Sequence, residues 1–207
     1  MKASNVDCTI FPYDKQPTYN TCETTCMKNI LGELAKRHSA PKINLGLKKI
    51  NKMYDYQLLA GSKTALGVNN LRRSLRPHGY EVKEVFGDKS NVELLGRIIK
   101  ESNCSYPVVA VSPAFFDNET TVSHRNYRTD SSNAETRVEY EHAIIVIDVD
   151  DEITFCDPME NYKRHGACTL TKMGSPTFVR LWNEIESPKW VVWIEKIKGT
   201  LRDWGVQ

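Results

Sequence analysis

The 207-residue sequence contains no apolar run approaching the roughly 20 residues that a membrane helix requires. Its first fifteen residues, MKASNVDCTIFPYDK, hold no apolar core long enough for a secretory signal, so a cytoplasmic location is expected. Charge of one sign is also lacking. A net charge of +2 provides no global field for nucleic acid or an anionic membrane, and neither is expected as a partner. There is no internal repeat, low-complexity tract or domain linker, so residues 1–207 are read as one domain. No second pair of metal ligands at standard spacing accompanies the cysteines, and neither a metal nor another cofactor is expected. Six cysteines without a signal imply reduced thiols. What remains, at 40% hydrophobic and 26% charged residues, is ordinary globular composition in a chain long enough to bury a core without staples.

The most informative stretch is residues 16–34, QPTYNTCETTCMKNILGEL, a polar loop running into an amphipathic helix. Asn20 followed three residues later by Glu23 reads as a capping box, with Cys22 as the first helical residue. A thiol there is activated by the free N–H groups and positive end of the helix dipole. Cys26, Ile30 and Leu34 follow at steps of four, with Met27 and Leu31 beside them, as one core-facing stripe. The same position also fits a plain core cysteine at the head of that stripe.

Downstream, the pattern predicts short helices from about Leu47, over 68–75, from the Asn91 cap through Ile99, and over 178–184. Strands are predicted at 80–86, 107–112 and 190–197. Trp182, Trp190 and Trp193 fit core or lid positions. Lys36, Arg37, Lys42, Lys48, Lys49 and Lys52 form a basic cluster without interleaved aromatics, which reads as a solvated face. The polar stretch 117–139 is long for a loop in a compact domain and is expected to overhang the functional cleft.

The second informative stretch is residues 140–158, YEHAIIVIDVDDEITFCDP. Two β-rich runs flank Asp150-Asp151, a hairpin signal. A two-residue turn there places Ile144 opposite Asp157. His142 then becomes a diagonal cross-strand neighbour of Asp157, about 7–8 Å away at Cα. A three-residue turn would put the two on opposite faces. An imidazole bonded to a carboxylate is the base half of a nucleophilic triad, and Cys22 is the nucleophile available to complete it.

The order Gln16-x5-Cys22, His142, Asp157 resembles the papain-like cysteine peptidases, and within them the bacteriocin-processing peptidases that cleave after a double glycine. Cys22-Glu-Thr-Thr-Cys26 is similar to that family's helix start, and His142-Ala-Ile-Ile-Val-Ile with Asp157-Pro158 to its His strand and Asp-Pro end. The resemblance implies an α+β fold: a helical half led by the Cys22 helix, packed on an antiparallel sheet carrying His142, with the site between them. It implies Cys22 as nucleophile, His142 as general base and acid, Asp157 as its orienter, and Gln16 as an oxyanion-hole donor with the Cys22 N–H. The implied partner is a peptide or protein substrate. Glu23 departs from the family, where glycine commonly follows the nucleophile, and a carboxylate there opposes thiolate formation. An acyltransferase or transglutaminase-like enzyme would use the same residues. A non-enzymatic binding module, or a redox or metal site at Cys22/Cys26, would use them differently.

Overall fold

Runs such as VVAV, HAIIVIDV and VVWIEK are apolar at consecutive positions rather than alternate ones, the mark of strands covered on both faces. The computed structural model describes residues 21–56, 63–112, 141–158, 170–185 and 188–198. In it these runs form the middle of a six-stranded antiparallel sheet. The strands are β1 (Tyr80–Val85), β2 (Val108–Val111), β3 (His142–Val149), β4 (Glu152–Cys156), β5 (Leu170–Gly174) and β6 (Val191–Lys196), in the order β1-β6-β2-β3-β4-β5.

One face carries α1 (Cys22–Arg37), α2 (Leu47–Met53) and α3 (Thr64–Leu75). Their apolar residues join Val108, Ala110, Ala143, Ile145, Val192 and Ile194 in one core. The other face is covered by α4 (Val92–Lys100) and α5 (Ser175–Asn183), which pack on Val109, Val111, Ile144, Val146 and Phe155. The α+β class holds, with the sheet enclosed between two helical layers rather than backed by one helical half.

Several elements follow their local signals. Asn91 caps α4 by accepting the Leu94 N–H at 2.7 Å. The helix predicted from Leu47 is α2, and α1 begins at Cys22 and ends at Arg37. α3 starts at Thr64, four residues before the predicted start at 68. β5, which lacks both alternation and a β-branched run, was not predicted from sequence.

The hairpin carrying His142 needs a correction. At its far end Val149 faces Ile153, leaving three residues between the last pair rather than two. That register alone would have put His142 and Asp157 on opposite faces. A bulge between Val146 and Asp148 restores the expected pairing, so Val146 faces Phe155 and Ile145 faces Cys156. The register at the His142 end is therefore the one expected, reached by two compensating irregularities.

The capping box is also not formed as read. Thr21 occupies the cap position without a side-chain capping bond, and the Glu23 carboxyl accepts from Thr64 of α3. Asn20 lies outside the described residues, as do Gln16 and the 117–139 stretch. Cys156 is disulfide-bonded, which corrects the expectation of six reduced thiols, while Cys22, Cys26 and Cys104 are free. Among the described residues no helix is long and apolar enough to cross a membrane.

Candidate active site

α1 is buried around its whole first two turns, with every residue from Thr21 to Met27 buried. Polar as well as apolar side chains are enclosed there, so the helix runs through the interior rather than lying on it. Its seat on the sheet is fixed beside His142. The Cys26 thiol donates to the Ala143 carbonyl at 3.4 Å. Ala143 is paired with Ala110 across β2 and β3, and both belong to the core under α1. Two small side chains at this crossing leave room for the helix to approach the strands closely.

His142 opens β3, opposite Val111, and is completely buried. Asp157 directly follows β4, next to Pro158, and is 2% exposed. The His142 Nε2 and Asp157 Oδ1 are 2.8 Å apart. Cys22 is the other side chain that acts on the ring, and like Asp157 it favours the protonated form. The structure thus brings together Cys22 from the first turn of α1 and the His142–Asp157 pair from the β3–β4 hairpin, three residues far apart in sequence.

The electrostatics of the cluster favour a charged imidazole. Burial alone would lower the His142 pKa, but the Asp157 charge and hydrogen bond, with the hydrogen bond and charge of Cys22, outweigh it and raise the value to about 10. Cys26, one turn deeper, behaves oppositely: burial first, then the nearby Cys22, Asp157 and Glu23, push its thiol well above the ordinary range. A protonated Cys26 is consistent with its role as donor to Ala143.

No family model and no curated protein matches this chain. The site stands on its geometry.

Cys22 is 9% exposed and belongs to the core under α1. As the first residue of α1 its backbone N–H has no intrahelical acceptor, since the first such bond runs from Thr25 to Thr21. That N–H is a donor available beside the sulfur. Among the described residues there is no group of three or more His, Cys, Asp or Glu side chains arranged to hold a metal ion.

Sequence reasoning missed the surroundings of Glu23. Its carboxyl is buried and bonded to Thr64. Burial is the main reason its pKa rises to about 7; the Thr64 and Tyr54 hydrogen bonds oppose the rise, and Glu84 and Glu141 add to it. Burial thus moves the ionisation of the carboxyl expected to oppose the thiolate up to the neutral range. No local pattern signals this, because the partners come from α3 and the end of α2.

Proposed function

We propose that this protein is a cysteine hydrolase of papain-like type that cleaves a peptide or amide bond through Cys22, His142 and Asp157. The observation that carries the reading is the buried His142–Asp157 pair, whose ring is also acted on by a cysteine at a helix start. Asp157 takes up Nε2, and in this reading Nδ1 is the nitrogen that serves the sulfur. Asp157 fixes the ring and stabilises its protonated form, the counter-charge that an attacking sulfur requires.

In this mechanism the Cys22 sulfur attacks the substrate carbonyl, and the carbonyl oxygen becomes an oxyanion. The Cys22 backbone N–H donates to it, and by resemblance the Gln16 side-chain amide does as well. His142 gives its proton to the leaving amine as the C–N bond breaks, producing a thioester on Cys22. The neutral imidazole then takes a proton from water, whose oxygen attacks the thioester, releasing the acid and regenerating the thiolate. The bacteriocin-processing peptidases are the resemblance that suggests a peptide substrate.

The test is incubation of the protein with a peptide library and with an activated acyl ester, followed by mass spectrometry. Peptide fragments, together with a transient acyl adduct on the Cys22 peptide that is absent in Cys22→Ala, are expected. Transfer of the acyl group to an added amine in preference to water would assign the site to an acyltransferase. No adduct and no cleavage from folded protein would overturn the reading in favour of a binding module.

A further inference from the structure

β4 ends at Cys156, and the next two residues are Asp157 and Pro158. The Val146 N–H donates to the Pro107 carbonyl at 3.0 Å, so even-numbered residues at the start of β3 turn their peptide groups toward β2. The odd-numbered ones, Ala143 and Ile145, turn theirs toward β4. Ile145 faces Cys156, and the same register carried two residues on sets Ala143 opposite Pro158. Proline has no N–H to give. Directly beyond Asp157, then, the chain cannot supply the ladder bond that the Ala143 carbonyl would otherwise accept. The Cys26 thiol supplies one instead, donating to that carbonyl at 3.4 Å.

Cys26 is completely buried and lies about 6 Å along the helix axis from Cys22. Its acceptor belongs to the residue that follows His142. A single thiol bond so joins the turn next to the nucleophile to the strand that carries the base. Around it Ala143 and Ala110 contribute only methyl groups to the core under α1. The titratable groups acting on Cys26 are Cys22 and Glu23 of its own helix and Asp157 beyond β4. Together with burial they keep on the sulfur the proton that the bond requires.

We propose that Cys26 is a positioning residue for the reaction at Cys22: its bond to the Ala143 carbonyl, left open by Pro158, sets the approach of the nucleophile to His142. Without the donor, α1 is free to shift against the start of β3, and the Cys22 sulfur loses its fixed place beside the imidazole. This role rests on Cys22 being the nucleophile of the proposed reaction.

The test is the rate of Cys22 alkylation by iodoacetamide from about pH 5 to about pH 9, read by peptide mass in wild type, Cys26→Ala, Cys26→Ser and His142→Ala. Cys26→Ala removes the donor without adding bulk. Its rate at about pH 6 should fall about tenfold, and its profile should move toward that of an ordinary thiol, because the sulfur is no longer held against its counter-charge. Cys26→Ser restores a donor and should recover most of the rate. In the His142→Ala background Cys26→Ala should cause no further loss, since the bond acts through the imidazole. A general loosening of the fold would slow both backgrounds alike. Should Cys26→Ala fail to fold, Cys26→Val, which also lacks the donor but fills the space, takes its place in both backgrounds with the same expectation. A wild-type profile in the donor-less variant, no recovery in Cys26→Ser, or an equal loss with and without His142 overturns the positioning role. Fast labelling that depends on His142 would still uphold Cys22 as nucleophile. Absence of fast labelling at Cys22 in the folded wild type removes both.

Discussion

The two faces of the sheet are built by different rules. The α4–α5 side is an apolar core in which Leu95, Phe155, Phe178 and Trp182 are completely buried. The Trp182 indole finds the Trp190 carbonyl at 2.9 Å. The α1–α3 side encloses polar groups as well. Of the twelve buried polar or charged residues described, six lie on α1 or its cap: Thr21, Glu23, Thr24, Thr25, Asn29 and Glu33. Some are incompletely satisfied, and the Thr25 hydroxyl has no partner among the described residues. Burying such groups costs free energy that an all-apolar packing would not. The α4–α5 face therefore supplies stability, while the α1–α3 face gives up some of it to enclose the first turns of α1, with Cys22 and Glu23. The difference teaches where substitutions should affect activity and where they should affect folding.

The largest effect should come from Asp157→Asn. The amide preserves shape but no longer stabilises the imidazolium, and turnover should fall by about 10⁴-fold while the melting transition is retained. Wild-type turnover in that variant would make the His142–Asp157 pair structural. Trp182→Ala on the opposite face should reverse the pattern. Loss of a completely buried indole should cost about 3–5 kcal/mol in denaturant unfolding, with the Cys22 labelling rate of the remaining folded fraction unchanged. A change in that rate would mean that the two layers are coupled through the sheet.

A smaller effect separates the faces by pH. Both Glu23 and His142 have folded pKa values raised above their ordinary ones. Each contributes stability that is fully present below its ordinary pKa and is lost as pH rises through the folded one. For Glu23 the interval runs from 4.5 to about 7, corresponding to about 3 kcal/mol. For His142 it runs from 6.5 to about 10. Denaturant midpoints should thus decline from acid toward alkaline pH. Glu23→Gln should flatten only the lower interval, and Trp182→Ala should shift the whole curve without altering its slope. An unaltered slope in Glu23→Gln would show that Glu23 titrates alike in the folded and unfolded chains.

Local signals accounted for a large part of this architecture. The Asn91 cap, the start of α1 at Cys22 and the covered strands were legible because each depends on neighbours in sequence. The pairing of His142 with Asp157 was legible for an incomplete reason, since the turn is one residue longer than the pattern implied and a bulge compensates. A bulge has no composition of its own. The site of Glu23 was not legible: a capping-box spacing pointed it back along its own helix, but Thr64, 41 residues away, recruits it. The early start of α3 shares this cause, because Thr64 lies outside any apolar periodicity and Lys63 provides no side-chain cap. The disulfide at Cys156 likewise depends on tertiary proximity rather than on spacing.

The most direct measurement of the central claim is competitive alkylation of the native protein with limiting iodoacetamide at about pH 6, where ordinary thiols are almost wholly protonated. Each cysteine peptide is then quantified by mass spectrometry. Cys22 should be modified far faster than Cys26 or Cys104, both of which are buried with raised pKa values. His142→Ala should slow that modification, because the sulfur loses its counter-charge. Preferential labelling of Cys26, or a Cys22 rate indifferent to His142→Ala, would contradict the account.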